Sequence, residues 1–137
     1  MGLPGIGPVL VVEDDTSIRE LLRDAFENEG LDVMTASDGE DAIATAHAKQ
    51  PSIVVLDIGL PRVDGAGVAS AIRDKYGDAV PVIVVTANNR LAEASARVRA
   101  AAYFTKPFDI PELVRAVRAA VEPPPNAASE GSPAVAG

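Results

Sequence analysis

The chain has 137 residues, the size of one domain, and is 47% apolar and 23% charged, ordinary values for a globular core. Its net charge of −8 and scattered Lys and Arg argue against a nucleic-acid surface, which needs clustered cations. The absence of cysteine excludes disulfides, thiolate metal sites and cysteine nucleophiles, and no apolar run approaches the roughly 18 residues of a membrane span.

Residues 1–7 read as an N-terminal extension; "MGLPGIGPV" lacks the basic and long apolar regions of a secretory signal, so a cytoplasmic location is expected. "VLVV" (9–12) is the first strand, followed by Glu13, Asp14 and Asp15. Asp15 or Thr16 is a candidate cap for a helix whose apolar stripe is Ile18, Leu21, Leu22, Ala25 and Phe26, with Gly30 at its C-terminal end. "DVMTA" (32–36) is a second strand, and Ala42, Ile43 and Ala46 mark a helix that ends before Pro51. "IVVLD" (53–57) follows, then a helix marked by Val68, Ala71 and Ile72 that ends near Gly77. "VPVIVVT" (80–86) is the fourth strand. A fourth helix over roughly 90–99 offers only Leu91, Ala94 and Val98 to a core. "AYFT" (102–105) precedes a last helix that starts near Pro111 and buries Leu113, Val114, Val117 and Val121. The last 15 residues, "PPPNAASEGSPAVAG", carry four prolines and one charge and read as a disordered tail or linker.

Five strand–helix units in this order predict an α/β fold: a single doubly wound domain over 8–122, with a parallel sheet covered by helices on both faces. Ligands in such folds sit at the carboxyl ends of the strands. Four strand ends here carry reactive groups: Glu13, Asp14 and Asp15 after the first, Asp57 on the third, Thr86 on the fourth and Lys106 after the fifth. Carboxylates from neighbouring strands form a hard-oxygen site suited to Mg²⁺, or Mn²⁺, and a divalent cation removes their mutual repulsion. With the ammonium of Lys106 and the hydroxyl of Thr86, the set would clamp a phosphoryl group. Taken singly, each residue has a plainer role as a cap, a turn residue or a strand residue. Their joint placement on strand ends is what a plain fold does not predict.

"VLVVEDD", "VVLDIGLPRVDG", "PVIVVTA" and "YFTKPF" together resemble the receiver domain of bacterial two-component signalling, in a chemotaxis-regulator-like architecture, over about residues 8–122. The resemblance implies a flavodoxin-like strand order 2-1-3-4-5 and Asp57 as phosphoacceptor. It implies Mg²⁺ held by Asp14 directly, Glu13 largely through water, Asp57 and the backbone carbonyl of Gly59. Lys106, Thr86 and the backbone N–H of Ala87 would contact the phosphoryl oxygens, Tyr103 would be the aromatic switch, and the Lys106–Pro107 bond would be cis. The expected donor is a sensor histidine kinase or a histidine phosphotransfer protein. The output is a conformational change of the face made by the fourth helix, fifth strand and fifth helix, in a monomer or phosphorylation-dependent dimer.

By the same resemblance the domain is not an enzyme beyond its own phosphorylation and slow autodephosphorylation; from its charge and hydropathy, contact with nucleic acid or membrane by this chain alone is not expected. It would be a stand-alone regulator, or a receiver cut from a longer chain. Two positions depart from the family pattern. Gly59 stands where a larger side chain is common, which leaves the acceptor more open to water, and Arg99–Ala102 replaces a frequent Gly-Ala-Asp-Asp. A metal-dependent phosphohydrolase is disfavoured because "EDDTS" lacks the Asp-x-Asp-x-Thr spacing of that class, and an inert docking module because every acceptor-site residue is present. His47, alone within a helix, is expected to be structural.

Overall fold

A strand made wholly of apolar residues has no side to give to solvent. β1 (Val9–Val12), β3 (Ile53–Asp57) and β4 (Val82–Thr86) are buried along their whole length, which requires cover on both faces of their sheet. The computed structural model describes residues 7–58, 65–86 and 99–121 and has that arrangement. With β2 (Val33–Ala36) and β5 (Ala102–Thr105), these strands form a five-stranded parallel sheet in the order β2-β1-β3-β4-β5. Val12 lies opposite Leu56, and Asp57 opposite Val85, so the ends of β1, β3 and β4 open on one edge.

The pleat divides the core in two. Val9, Val11, Ile53, Val55, Ile83 and Val85 face one side, packed with Leu22 and Phe26 of α1 (Thr16–Asn28) and with Leu113 and Val117 of α4 (Ile110–Val121), the last helix. Leu10, Val12, Val54, Leu56, Val82 and Val84 face the other, against Ala42 and Ala46 of α2 (Gly39–Ala48) and Val68 and Ile72 of α3 (Gly65–Tyr76). Each large apolar side chain fully buried there contributes about 1.5–3 kcal/mol relative to exposure. Of the expected stripe on α1, Leu21 is 54% exposed. Leu22 and Phe26 take the line that packs on the sheet, and Leu21 lies to the side of it. In α3, Ala69 is buried where Ala71 was expected, and Ala71 is only half-buried. β4 begins at Val82 and not at Val80, since Pro81 has no N–H for the ladder.

Caps fix the helix ends that frame the site. Asp15 accepts the N–H of Ile18 at 3.0 Å, and Asp38 that of Asp41 at 2.8 Å. α1 stops in a Schellman turn: Leu31 N–H reaches the Phe26 carbonyl and Gly30 N–H that of Glu27, with Gly30 at φ 84. The expected fourth helix falls outside the described residues but for its last member, Arg99, which has φ 58 and is not helical. Its carbonyl accepts from Arg73 Nη2 at 3.1 Å, and Ala101 N–H already bonds Val82 at 2.8 Å. The chain has turned toward β5 by this point. A non-glycine residue in this left-handed region costs on the order of 1 kcal/mol.

Candidate functional site

Glu13 is the first residue past β1. Its N–H still pairs with Ala36 of β2, so its backbone belongs to the sheet while its side chain reaches the open edge. The side chain is orientated twice: Asp15 N–H donates to Oε2 at 3.2 Å, and Lys106 Nζ lies 2.9 Å from Oε1 and 3.1 Å from Oε2. Asp57 ends β3, with Oδ2 3.1 Å from the same ammonium. Lys106 thus bridges residues 93 and 49 positions away in the chain. Its own position is set by the bond from Lys106 N–H to the Thr86 carbonyl, 2.9 Å, and by the cis Lys106–Pro107 peptide that follows. Thr86 ends β4 opposite Thr105 and is 3% exposed.

One carboxylate oxygen each from Glu13, Asp14 and Asp57 lies within 4.8 Å of the others. Glu13 is 2% and Asp57 8% exposed, while Asp14 faces solvent. Three carboxylates meet one ammonium, and burial accordingly pushes the Glu13 carboxyl above its ordinary range, with Asp57's charge adding to the rise and Lys106 opposing it. Burial alone would depress the Lys106 ammonium. Its hydrogen bonds and attraction to Glu13 and Asp57 outweigh that and hold it above the usual lysine value. Surplus negative charge on hard oxygens, two of them shielded and one open to water, fits a small divalent cation that retains part of its hydration. Mg²⁺ and Mn²⁺ both match this donor set.

The order of the sheet and the position of the acidic edge are those of a known family. The response regulator receiver domain matches residues 9–118. The chain belongs to this family. A receiver domain is a signalling module of two-component systems. Among curated relatives, a probable transcriptional regulator, ycf27, of Guillardia theta is 42% identical over 113 residues, which cover 81% of this chain and 44% of that protein. The response regulator MprA of Mycolicibacterium vanbaalenii is 39% identical over the same share of this chain and 48% of its own length. The chain spans about half the length of the curated relatives it matches. Among solved structures, the chemotaxis protein CheY4 of Vibrio cholerae superposes with a TM-score of 0.75 at 25% identity, covering 83% of this chain and 98% of that one. The receiver domain of the Francisella response regulator 1452 gives 0.74 at 28% identity, covering 83% and 95%.

The receiver fold brings together Glu13, Asp14, Asp57 and Lys106 at one point and places Thr86 at the end of the adjoining strand. Asp15 is apart from this set, as the α1 cap. Gly59 and Ala87 lie outside the described residues. Tyr103 is 56% exposed on β5. His47 is exposed, with Nε2 3.5 Å from the Ala71 carbonyl, at the α2–α3 seam and away from the acidic edge. One contact was not foreseen: Arg19 Nη1 donates to the Glu13 carbonyl at 2.8 Å. An arginine in the first turn of a helix, just after three carboxylates, is the signal that could have found it. Among the described residues, no helix is long and apolar enough to cross a membrane.

Proposed function

We propose that the domain accepts a phosphoryl group on Asp57 from a phosphohistidine of a sensor histidine kinase or phosphotransfer protein, with Mg²⁺ held by Glu13, Asp14 and Asp57. The observation that carries this is Asp57 at the mouth of β3, 8% exposed, within 4.8 Å of two further carboxylates and 3.1 Å from a lysine ammonium. An Asp57 carboxylate oxygen attacks phosphorus, the donor's P–N bond breaks, and its electron pair stays on the imidazole nitrogen. The product is an acyl phosphate. Lys106 offsets charge on the transferred oxygens, and Thr86 can donate its hydroxyl to one of them. Mg²⁺, when bound, supplies the remaining charge neutralisation and orients the group in line. By the family resemblance, the backbone carbonyl of Gly59 and the N–H of Ala87, both outside the described residues, would join the set.

An apolar hollow of about 380 Å³ borders Lys106, lined by Ile18, Leu21, Pro107, Phe108 and Ile110. It gives a protein donor an apolar surface beside Lys106, the partner of the acceptor. In this reading Thr86 and the exposed Tyr103 relay the change to the face made by the expected helix over roughly 90–99, β5 and the last helix, α4. Residues 123–137 are a linker or tail, and the protein acts in the cytoplasm as a monomer or phosphorylation-dependent dimer. The test is intact-mass measurement after incubation with a small phosphodonor and Mg²⁺. The wild type gains one phosphoryl group and Asp57→Asn gains none; undiminished labelling of that variant refutes the assignment. Continuous turnover of a phosphomonoester would point to a phosphohydrolase instead.

A further inference from the structure

Asp14 differs from the other two carboxylates of the acidic edge. Glu13 and Asp57 are both tied to Lys106, whereas among the described residues the Asp14 carboxylate has no hydrogen-bond or ion-pair partner. Its side chain is therefore presented by the backbone alone. Two contacts hold that backbone, one on each side of Asp14: the Glu13 carbonyl accepts the 2.8 Å bond from Arg19 Nη1, and Asp15 N–H donates to Glu13 Oε2 at 3.2 Å.

Three features make this contact more than a surface arginine lying where it falls. Arg19 sits in the first turn of α1, where the helix dipole disfavours a cation, and that turn has no acidic residue to offset it. A guanidinium beside three carboxylates has a natural bidentate partner among them, yet this one bonds a neutral carbonyl. Its other nitrogen, Nη2, lies 3.4 Å from Thr16 Oγ1, back along the helix start and on no carboxylate. Positive charge is thereby added to the acidic edge without the guanidinium itself bonding a carboxylate oxygen of Glu13, Asp14 or Asp57. The other anchors of the turn are Glu13 N–H on the Ala36 carbonyl, Asp15 N–H on Glu13 Oε2 and Ile18 N–H on Asp15 Oδ1. The peptide between Glu13 and Asp14 is the remaining hinge.

We infer that Arg19 is the positioning residue of the metal site, fixing the peptide between Glu13 and Asp14 and so the direction in which Asp14 meets the cation. The inference rests on reading Glu13, Asp14 and Asp57 as that site. Groups that hold a metal ligand in place change affinity by about 10–100-fold when removed. Arg19 acts through one bond on a partly exposed turn and belongs at the lower end, about 10-fold.

The experiment is Mg²⁺ titration of the full chain followed by backbone amide NMR, for the wild type, Arg19→Ala and Arg19→Lys, with urea unfolding of the metal-free proteins alongside. Arg19→Ala is expected to weaken Mg²⁺ about 10-fold and to shift the metal-free Asp14 and Asp15 amides, with its urea midpoint retained. Arg19→Lys, which keeps one donor and the charge, recovers most of the affinity. Wild-type affinity in Arg19→Ala overturns the inference. So does a fall in urea midpoint that Arg19→Lys fails to repair, because Arg19 would then be structural. If the wild type shows no Mg²⁺ response at residues 13, 14 and 57, the metal reading fails on its own. In that case unchanged metal-free Asp14 and Asp15 amides in Arg19→Ala would sink the positioning role as well.

Discussion

Lys106→Met keeps most of the aliphatic stem and removes the one ammonium that bridges Glu13 and Asp57. Its contacts are 2.9 Å and 3.1 Å to Glu13 and 3.1 Å to Asp57. At an effective dielectric near 20, unit charges about 3 Å apart attract by roughly 5 kcal/mol before desolvation is counted. Removing one partner from a buried pair costs about 3–5 kcal/mol, chiefly because the other charge is left uncompensated. The lysine side chain keeps 20% of its exposure, and water reaches the edge beside Asp14, so the expected loss at neutral pH is about 3 kcal/mol. The pH dependence follows from Glu13. Its carboxyl is raised in the folded protein above the ordinary 4.5. In the window between that value and the raised one, the native state binds more protons than the unfolded chain, and stability falls as pH rises. Loss of Lys106 extends this window upward, so the deficit of the variant narrows as pH falls toward 4.5 and Glu13 takes up its proton. The lysine has its own signature. Its raised value means that its contribution is present below the ordinary 10.5 and disappears as alkaline pH passes its folded value. Mg²⁺ restores stability in proportion to native-state binding, about 1.4 kcal/mol at ten times Kd, and does so more for the variant than for the wild type because no ammonium competes for Glu13 and Asp57. Urea unfolding followed by circular dichroism at pH 7 and near pH 5, with and without Mg²⁺, measures the loss, its dependence on Glu13 and its response to Mg²⁺, and a series at alkaline pH measures the lysine signature. A deficit equal at both pH values and indifferent to Mg²⁺ would show that the lysine stem, and not its charge, carries the loss.

Two further predictions address the elements around the acceptor. A Cβ on Gly65 would stand 2.6 Å from Ile58 Cδ1 and 3.2 Å from Ile58 Cα, so Gly65→Ala is expected to lower stability by about 1 kcal/mol despite its better helix propensity; Ile58→Val, which deletes Cδ1, should relieve most of that in a double-mutant cycle by urea unfolding, and additive losses would show that the two do not press on each other. Thr86→Ala should still be phosphorylated on Asp57 but show a reduced NMR response at Tyr103 and Phe104 on β5; a full response there would mean that coupling to Tyr103 runs by another route.

Much of this protein is local and therefore legible without coordinates. Continuous apolar runs made β1, β3 and β4 readable as strands buried on two faces, because a parallel sheet between helices leaves no polar side. Asp15 at the start of α1 and Gly30 at its end act within a few residues of themselves, as caps do. The site was also legible, since in a doubly wound parallel sheet the carboxyl ends of successive strands come to one edge. Other features depended on what lay opposite. Leu21 and Leu22 are neighbours in one apolar stripe, and only the sheet beneath them decided that Leu22 is buried and Leu21 is not. Arg99 belonged to a plausible helical period until the carbonyl contact with Arg73, 26 residues away, and the pairing of Ala101 with Val82 placed it in a turn. The two-carboxylate grip on Lys106 and the reach of Arg19 to the Glu13 carbonyl belong to the same class. Periodicity and capping report which way a residue points from its own backbone. The distance between an ammonium and carboxylates 93 and 49 residues away is set by how five strands and their helices pack together, and that only the tertiary structure decides.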